Sequence, residues 1–281
     1  MGISRANISQ RQLEGYLKWA EIIQWGRRNP TKFAETILGV QFMDYQKYVF
    51  MNSWDKQFVL WLMGRGSGKS TLSAPFAMTK LLLFPNFESY ILSLTAGQSQ
   101  DTFLKMENIA KKQIESFTGL TDVFLGELEK SSNHDGFVHS PQGFRYRLYN
   151  GSKIISLSGE ENNIRGKRSN LNIYDESGFI SENYIATTKA FATQDSSFKL
   201  GGGIDTETVP KNIPNQLLFC SSASSTDTYF YGIYKEWAKL MYAGSTDHFV
   251  ADINCEVVIN ATCDGVKLFT PLLSQSKVDD E

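Results

Sequence analysis

Apolar residues along this chain change their spacing several times, and each change marks an element. In residues 9–28 (SQRQLEGYLKWAEIIQWGRR) they fall at Leu13, Tyr16, Leu17, Ala20, Ile23 and Trp25, with Ser9 available as an N-cap. That spacing predicts an amphipathic helix packed on the main body. A second helical stretch is expected near 31–38, leading into the segment from Phe42 to Phe50. Gln57 to Met63 (QFVLWLM) is an apolar run of strand length that ends in glycines, and a helix-like segment follows from Lys69 to Leu83. Ser89 to Thr95 (SYILSLT) reads as a strand before a helix at about 98–116, so strand and helix alternate as a parallel βαβ sheet requires. Residues 144–149 and 153–158 are strand-like and joined by Asn150-Gly151, a dipeptide suited to a tight turn with positive φ at both central positions. An antiparallel hairpin attached to the parallel sheet is therefore expected. Further strands are expected at 171–175, 216–221 and 248–254, with helices near 182–192 and 227–242, and no internal repeat is visible. The polar, glycine-containing stretches 131–143 and 200–212 read as mobile surface loops, one of which could reach a partner.

Composition narrows the class. With 281 residues and 41% hydrophobic content the chain can bury a core as one large α/β domain or two small ones. Cys220, Cys255 and Cys263 are odd in number and share no metal-ligand spacing, which argues against a disulfide framework or a zinc site and for a reducing compartment. The polar start, Met1 to Gln12, does not resemble a signal peptide, and no apolar run has the length of a membrane span. A soluble, cytoplasmic protein is expected. The net charge of -2 lacks the basic footprint of a self-sufficient DNA binder, so any contact with DNA would be local or shared among subunits.

The candidate chemistry begins at residues 63–71, MGRGSGKST. Gly68-Lys69-Ser70 ends a P-loop that follows an apolar strand and opens a helix, the context in which backbone N–H groups and a helix N-terminus cradle phosphate. Gly64, Arg65, Gly66, Ser67, Gly68, Lys69, Ser70 and Thr71 are the candidate nucleotide-binding residues. Lys69 would neutralise the β- and γ-phosphates, and Ser70 would place its hydroxyl on Mg²⁺. Against the pattern G-x-x-x-x-G-K-S/T, Met63 stands where the first glycine is expected. The second half of the site is Leu171 to Glu176 (LNIYDE), an apolar strand ending in two acids 106 residues after Lys69. Asp175 would orient Mg²⁺ and Glu176 would polarise the attacking water, so an Mg²⁺-dependent ATPase is expected.

Four further segments, with these, make the chain resemble the large terminase of tailed bacteriophages over nearly its whole length. Tyr45-Gln46 resembles the family's adenine-recognising glutamine motif. Arg65 is similar to the P-loop arginine that senses the γ-phosphate. Arg165-Gly166 stands ten residues before Asp175, as an arginine-glycine pair does in the family, and Ser221-Ser222-Ala223 resembles the motif coupling hydrolysis to movement. The resemblance implies a P-loop NTPase of the additional-strand catalytic glutamate type: an α/β fold with a mainly parallel sheet flanked by helices. It further implies that the glutamate lies on the strand next to the P-loop strand. Glu176, Lys69, Arg65 and Arg165 become the catalytic candidates, with Arg165 the candidate for reaching a neighbouring subunit and Arg168 and Arg145 as its substitutes.

The implied division is an N-terminal helical segment with the adenine motif (1–56), a P-loop core (57–255) and a C-terminal extension (256–281) toward a nuclease domain that this sequence does not include. No nuclease activity is expected from it. Implied partners are double-stranded DNA, the portal protein, the small terminase subunit and further copies in a ring, in the host cell cytoplasm and without a membrane. Two other readings stay open. A superfamily 2 helicase or translocase would need a second RecA-like domain, for which the 58 residues after Ala223 are too few. A nucleotide-gated binding protein would have less use for Glu176.

Overall fold

In the computed structural model, residues 9–64, 66–115, 122–141, 143–157, 167–192, 196–197, 212–223, 225–267 and 278 are described. Three helices lead in: α1 (Gln10–Arg28), α2 (Pro30–Ile37) and α3 (Asp44–Ser53). Next come β1 (Phe58–Met63), α4 (Lys69–Leu83), β2 (Glu88–Leu92), α5 (Ala96–Glu115) and α6 (Asp122–Glu127). The short strands β3 (Phe137–Val138) and β4 (Arg145–Arg147) precede β5 (Lys153–Leu157) and β6 (Leu171–Asp175). A 3-10 turn (Ser177–Phe179), α7 (Glu182–Lys189), and the small strands β7 (Ser196–Ser197) and β8 (Asn212–Ile213) follow. The order ends with β9 (Gln216–Ser221), α8 (Tyr229–Tyr242), β10 (His248–Ile253) and α9 (Cys255–Ile259).

Eight strands form one sheet in the order β10-β1-β9-β6-β2-β5-β4-β3. The first six are mutually parallel, and β5-β4 and β4-β3 are antiparallel. Helices cover both faces, so β6 and β9 are buried at every position and mostly apolar, with polar residues at Asn172, Asp175, Gln216 and Ser221. Successive side chains of β1 enter opposite cores. Val59, Trp61 and Met63 join Phe33, Phe50, Trp54 and Phe76 on one face, while Leu60 joins Tyr174, Tyr184, Phe219 and Trp237 on the other.

The structure corrects four expectations. β9 lies between β1 and β6, so the strand carrying Asp175 and Glu176 is not the neighbour of the P-loop strand. The additional strand is what separates them, by two strand spacings or roughly 10 Å. Helix α1 forms as expected, but Leu13, Tyr16 and Leu17 are about half exposed, at 50%, 53% and 47%. Its C-terminal end is anchored, where Ile23 packs on the core and the buried Arg27 donates twice to the Leu83 carbonyl at 2.9 and 2.7 Å. The hairpin turn is a three-residue loop, 149–151, in which Gly151 has φ 87° and Asn150 is not at positive φ. Asn150 instead donates to the Leu81 carbonyl at 2.7 Å and accepts from the Ser152 N–H at 2.9 Å, tying the turn to the end of α4. Finally, part of 131–143 is the sheet edge β3, held to α5 by Lys111–Asp135 at 3.1 Å and His139–Glu107 at 2.7 Å. The stretch 200–212 lies outside the described residues except Asn212, which pairs in β8.

Among the described residues no helix is long and apolar enough to cross a membrane. The three cysteines are free thiols, and no cluster of three or more potential metal-ligating side chains is found among the described residues.

Candidate functional site

Because β1, β9 and β6 run parallel in register, their C-terminal ends line one edge of the sheet, where open α/β sheets take their ligands. After β1 the chain turns through Gly66 (φ 75°) and Gly68 (φ 76°), and α4 starts at Lys69 with Gly68 as its N-cap. Left-handed backbone suits glycine. Space is tight as well, since a Cβ on Gly68 would sit 3.0 Å from Gln46 Nε2 and push that side chain aside. The departure at Met63 also has a reason: its side chain is wholly buried in the core, and its carbonyl accepts from Lys69 Nζ at 3.1 Å. Gly64 N–H donates to the Ile253 carbonyl at 3.2 Å and the Gly64 carbonyl accepts from Ser67 N–H at 3.3 Å, which tucks the loop against the end of β10.

From beneath, α3 braces this loop. Tyr45 hydroxyl donates to the Ser67 carbonyl at 2.6 Å, and burial pushes the phenol up to about 12, so it remains a donor. Gln46 Nε2 reaches the same carbonyl at 3.4 Å while Oε1 accepts from the Met43 N–H at 3.0 Å. The carboxamide therefore ties the N-terminus of α3 to the loop, with one N–H and one lone pair left over.

The acids come from the end of β6. Asp175 is 5% exposed. Its Oδ1 accepts from the Glu176 N–H at 3.1 Å, and its Oδ2 accepts a short hydrogen bond from Thr102 Oγ1 of α5. Burial pushes this carboxyl up, the Thr102 hydrogen bond pulls it down, and the neighbouring Glu176 charge pushes it up again. Glu176 has φ 50° and ψ 47°, left-handed geometry that is unusual for a residue with a side chain. This sharp turn brings Oε1 to 4.0 Å from Lys69 Nζ.

β9 joins the two halves. Ser222 Oγ accepts from Lys69 Nζ at 2.8 Å, Ser221 Oγ accepts from the Gly178 N–H at 3.1 Å, and Ser177 Oγ donates to the Cys220 carbonyl at 3.1 Å. The structure thus brings together Gln46, Gly64, Gly66, Ser67, Gly68, Lys69, Ser70, Asp175, Glu176, Ser221 and Ser222. Thr71 is exposed on the first turn of α4, and Ala223 is exposed beyond β9. Arg65 and Arg165 lie outside the described residues. Two participants escaped the sequence reading: the Tyr45 hydroxyl, and Thr102, a fully buried residue of α5 that no local motif marks.

The residues present suit a magnesium-nucleotide. Ser67 Oγ is buried without a hydrogen-bond partner beside the glycine-rich turn, a polar atom that a ligand would satisfy. The oxygen donors Ser70 and Asp175 suit a hard divalent cation.

No family model and no curated protein sequence matches the chain. The fold does match solved structures. Against the crystal structure of the HK97 bacteriophage large terminase the TM-score is 0.57 at 14% identity, covering 86% of this chain and 46% of that one. The large terminase from a thermophilic bacteriophage, in complex with ADP, gives 0.51 at 13% identity, covering 85% and 49%. The same protein with ATP-gamma-S gives 0.51 at 12%, covering 85% and 48%. This chain spans about half the length of these proteins, and over that half it has the fold of the bacteriophage large terminases.

Proposed function

We propose that this chain is an Mg²⁺-dependent ATPase that powers translocation of double-stranded viral DNA into a procapsid, as the motor part of a terminase large subunit. The observation that carries the reading is the convergence of a phosphate-type loop, its lysine, the buried Asp175 and the half-buried Glu176 across one inserted strand, with Lys69 Nζ 2.8 Å from Ser222 Oγ and 4.0 Å from Glu176 Oε1. The large terminase of the thermophilic bacteriophage binds ADP and ATP-gamma-S, which favours the same ligand class here.

In this reading the loop N–H groups from Gly64 to Lys69 hold the phosphates, those of Gly64 and Ser67 giving up their bonds to the Ile253 and Gly64 carbonyls, and Gln46 offers its remaining donor and acceptor to the adenine edge. Lys69 moves from Ser222 onto the phosphates. Ser70 and Asp175 hold the cation, which when bound spreads the phosphates' negative charge. Glu176 accepts a hydrogen bond from the attacking water and orients it toward the γ-phosphorus. Arg65 would sense the γ-phosphate, and Arg165 would supply positive charge to a neighbouring copy, an arrangement that a ring of subunits would provide. Ser221, Ser222 and Ala223 would couple the site to movement. DNA, the portal protein and the small terminase subunit are the proposed partners, in the host cell cytoplasm.

Fluorescent-nucleotide titration and phosphate release on three proteins test this. Wild type should turn over ATP, Lys69→Ala should lose binding, and Glu176→Gln should bind and fail to hydrolyse. Near-wild-type turnover by Glu176→Gln would remove Glu176 from the mechanism. Wild type that binds no nucleotide in Mg²⁺ would sink the whole reading.

A further inference from the structure

Thr102 sits on the buried face of α5, in a run where Phe103, Met106 and Ala110 are core residues, and it is itself wholly buried. A threonine on a helix ordinarily turns its hydroxyl back onto its own backbone, three or four residues earlier. Here the hydroxyl points across the interface and donates to Asp175 Oδ2, 73 positions along the chain. The other oxygen of that carboxylate is held by the Glu176 N–H at 3.1 Å. One donor on each oxygen fixes the plane of the carboxylate, which a single donor would leave free to swing about its Cβ–Cγ bond. The lone pairs not used by these two donors are left for a ligand. Outer hydrogen bonds of this kind orient metal-holding carboxylates in general.

From this we infer that Thr102 is a positioning residue for the divalent cation: its hydroxyl clamps Asp175 in the orientation in which the carboxylate meets the metal. The inference rests on the reading of Asp175 as a cation-holding residue. It assigns the work to a hydroxyl rather than to the shape of the side chain. Valine and serine separate those two properties, since valine keeps the branched outline without the hydroxyl and serine keeps the hydroxyl without the methyl.

The experiment measures Mn²⁺ binding to the protein with ADP by electron paramagnetic resonance, and ADP-induced thermal stabilisation with and without Mg²⁺. In Thr102→Val the Mn²⁺ affinity should fall roughly 10- to 100-fold, the usual effect of losing an outer-sphere partner, while ADP binding without metal stays at the wild-type level. Thr102→Ser should stay within about two-fold of wild type, because the clamp survives. If Thr102→Val does not fold, Thr102→Ala carries the same expectation. Wild-type Mn²⁺ affinity in the hydroxyl-free variant would overturn the proposal, and so would a serine variant as weak as valine. Asp175→Asn distinguishes the levels. If it abolishes Mn²⁺ binding while Thr102→Val does not, the clamp alone is wrong. If Asp175→Asn binds Mn²⁺ normally, the assignment of Asp175 fails and the clamp falls with it.

Discussion

Lys80 should make the protein less stable at pH 7 than at pH 9, and replacing it with methionine should remove that dependence. The residue lies toward the C-terminal end of α4, away from the phosphate loop, and is 1% exposed in the aromatic core. Its ammonium donates to the Trp54 carbonyl at 2.9 Å and stands over the Trp54 and Phe76 rings at 4.8 and 5.2 Å. No ion pair to it is found among the described residues. Burial therefore pushes it from 10.5 down to about 7, with the Asp55 charge pulling weakly the other way. Below pH 7 the lysine is charged in both states and the full cost of burying it is felt. Between 7 and 10.5 the unfolded chain holds a proton that the folded chain has released, so stability rises with pH by up to about 1.4 kcal/mol per unit. The whole shift corresponds to ~5 kcal/mol, of which about 2 kcal/mol is recovered between pH 7 and 9.

Two other shifted groups among the described residues touch this window only at its edges: His248, held below 6.5 by burial, contributes little above pH 7, and Cys220, held well above 9.0 by burial, lowers stability by about 0.4 kcal/mol near pH 9 as the unfolded thiol ionises, equally in both proteins, so it cancels from the comparison. Lys80→Met keeps the length and loses the charge. Its cost is the hydrogen bond to the Trp54 carbonyl, about 1–3 kcal/mol if that acceptor stays buried and unpaired. At pH 7 the net change should be stabilising by about 1–3 kcal/mol. Urea unfolding of both proteins at pH 7, 8 and 9 gives the slopes directly. Equal slopes in the two proteins would show that Lys80 does not titrate between its folded and unfolded states as the burial argument requires.

Two further outcomes can be checked on the same material. Tyr45→Phe leaves the Ser67 carbonyl with only the long 3.4 Å contact from Gln46, and should weaken ADP binding about 3- to 10-fold in a fluorescence titration; unchanged affinity would mean that the loop holds its shape without this brace. Gly151→Ala must accept φ 87° and a Cβ 2.2 Å from Asn86 Oδ1, and should cost about 1–3 kcal/mol in urea unfolding, where an unchanged midpoint would show that the turn relaxes freely.

What could be read from the sequence was the chemistry that neighbouring residues carry together. The phosphate loop is contiguous, its strand and helix are strongly apolar, and α4 begins and ends where the pattern says, at Lys69 and Leu83. The acid pair was legible for the same reason, since LNIY is an unbroken strand and Asp175-Glu176 its last step. The position of β9 was not legible. It follows β6 by some forty residues in the chain, yet it enters the sheet between β6 and β1, and no local signal states where a parallel strand will insert. Thr102 and Lys80 were hidden differently. A hydroxyl or an amine on a helix reads as a solvated residue until the packing shows what lies opposite it.

β9 also gives the site a mechanical character that neither half has alone. Along an extended strand consecutive side chains point in opposite directions. Ser221 and Ser222 are consecutive at the end of β9, and one holds the turn that follows Glu176 while the other holds Lys69. Ser221 ends the strand in register with Leu62 of β1, one step past the Asp175–Cys220 pairing with β6, and Ser222 follows directly beyond it. In the proposed reaction Lys69 leaves Ser222 for the phosphates, and the contact between Ser221 and Gly178 N–H is untouched by that exchange. Arrival and departure of phosphate would then load and unload only one of two adjacent anchors. In that proposed reaction the Lys69–Ser222 contact is the part of the β9 junction that phosphate binding would exchange, and the Ser221–Gly178 bond is the part it would leave in place.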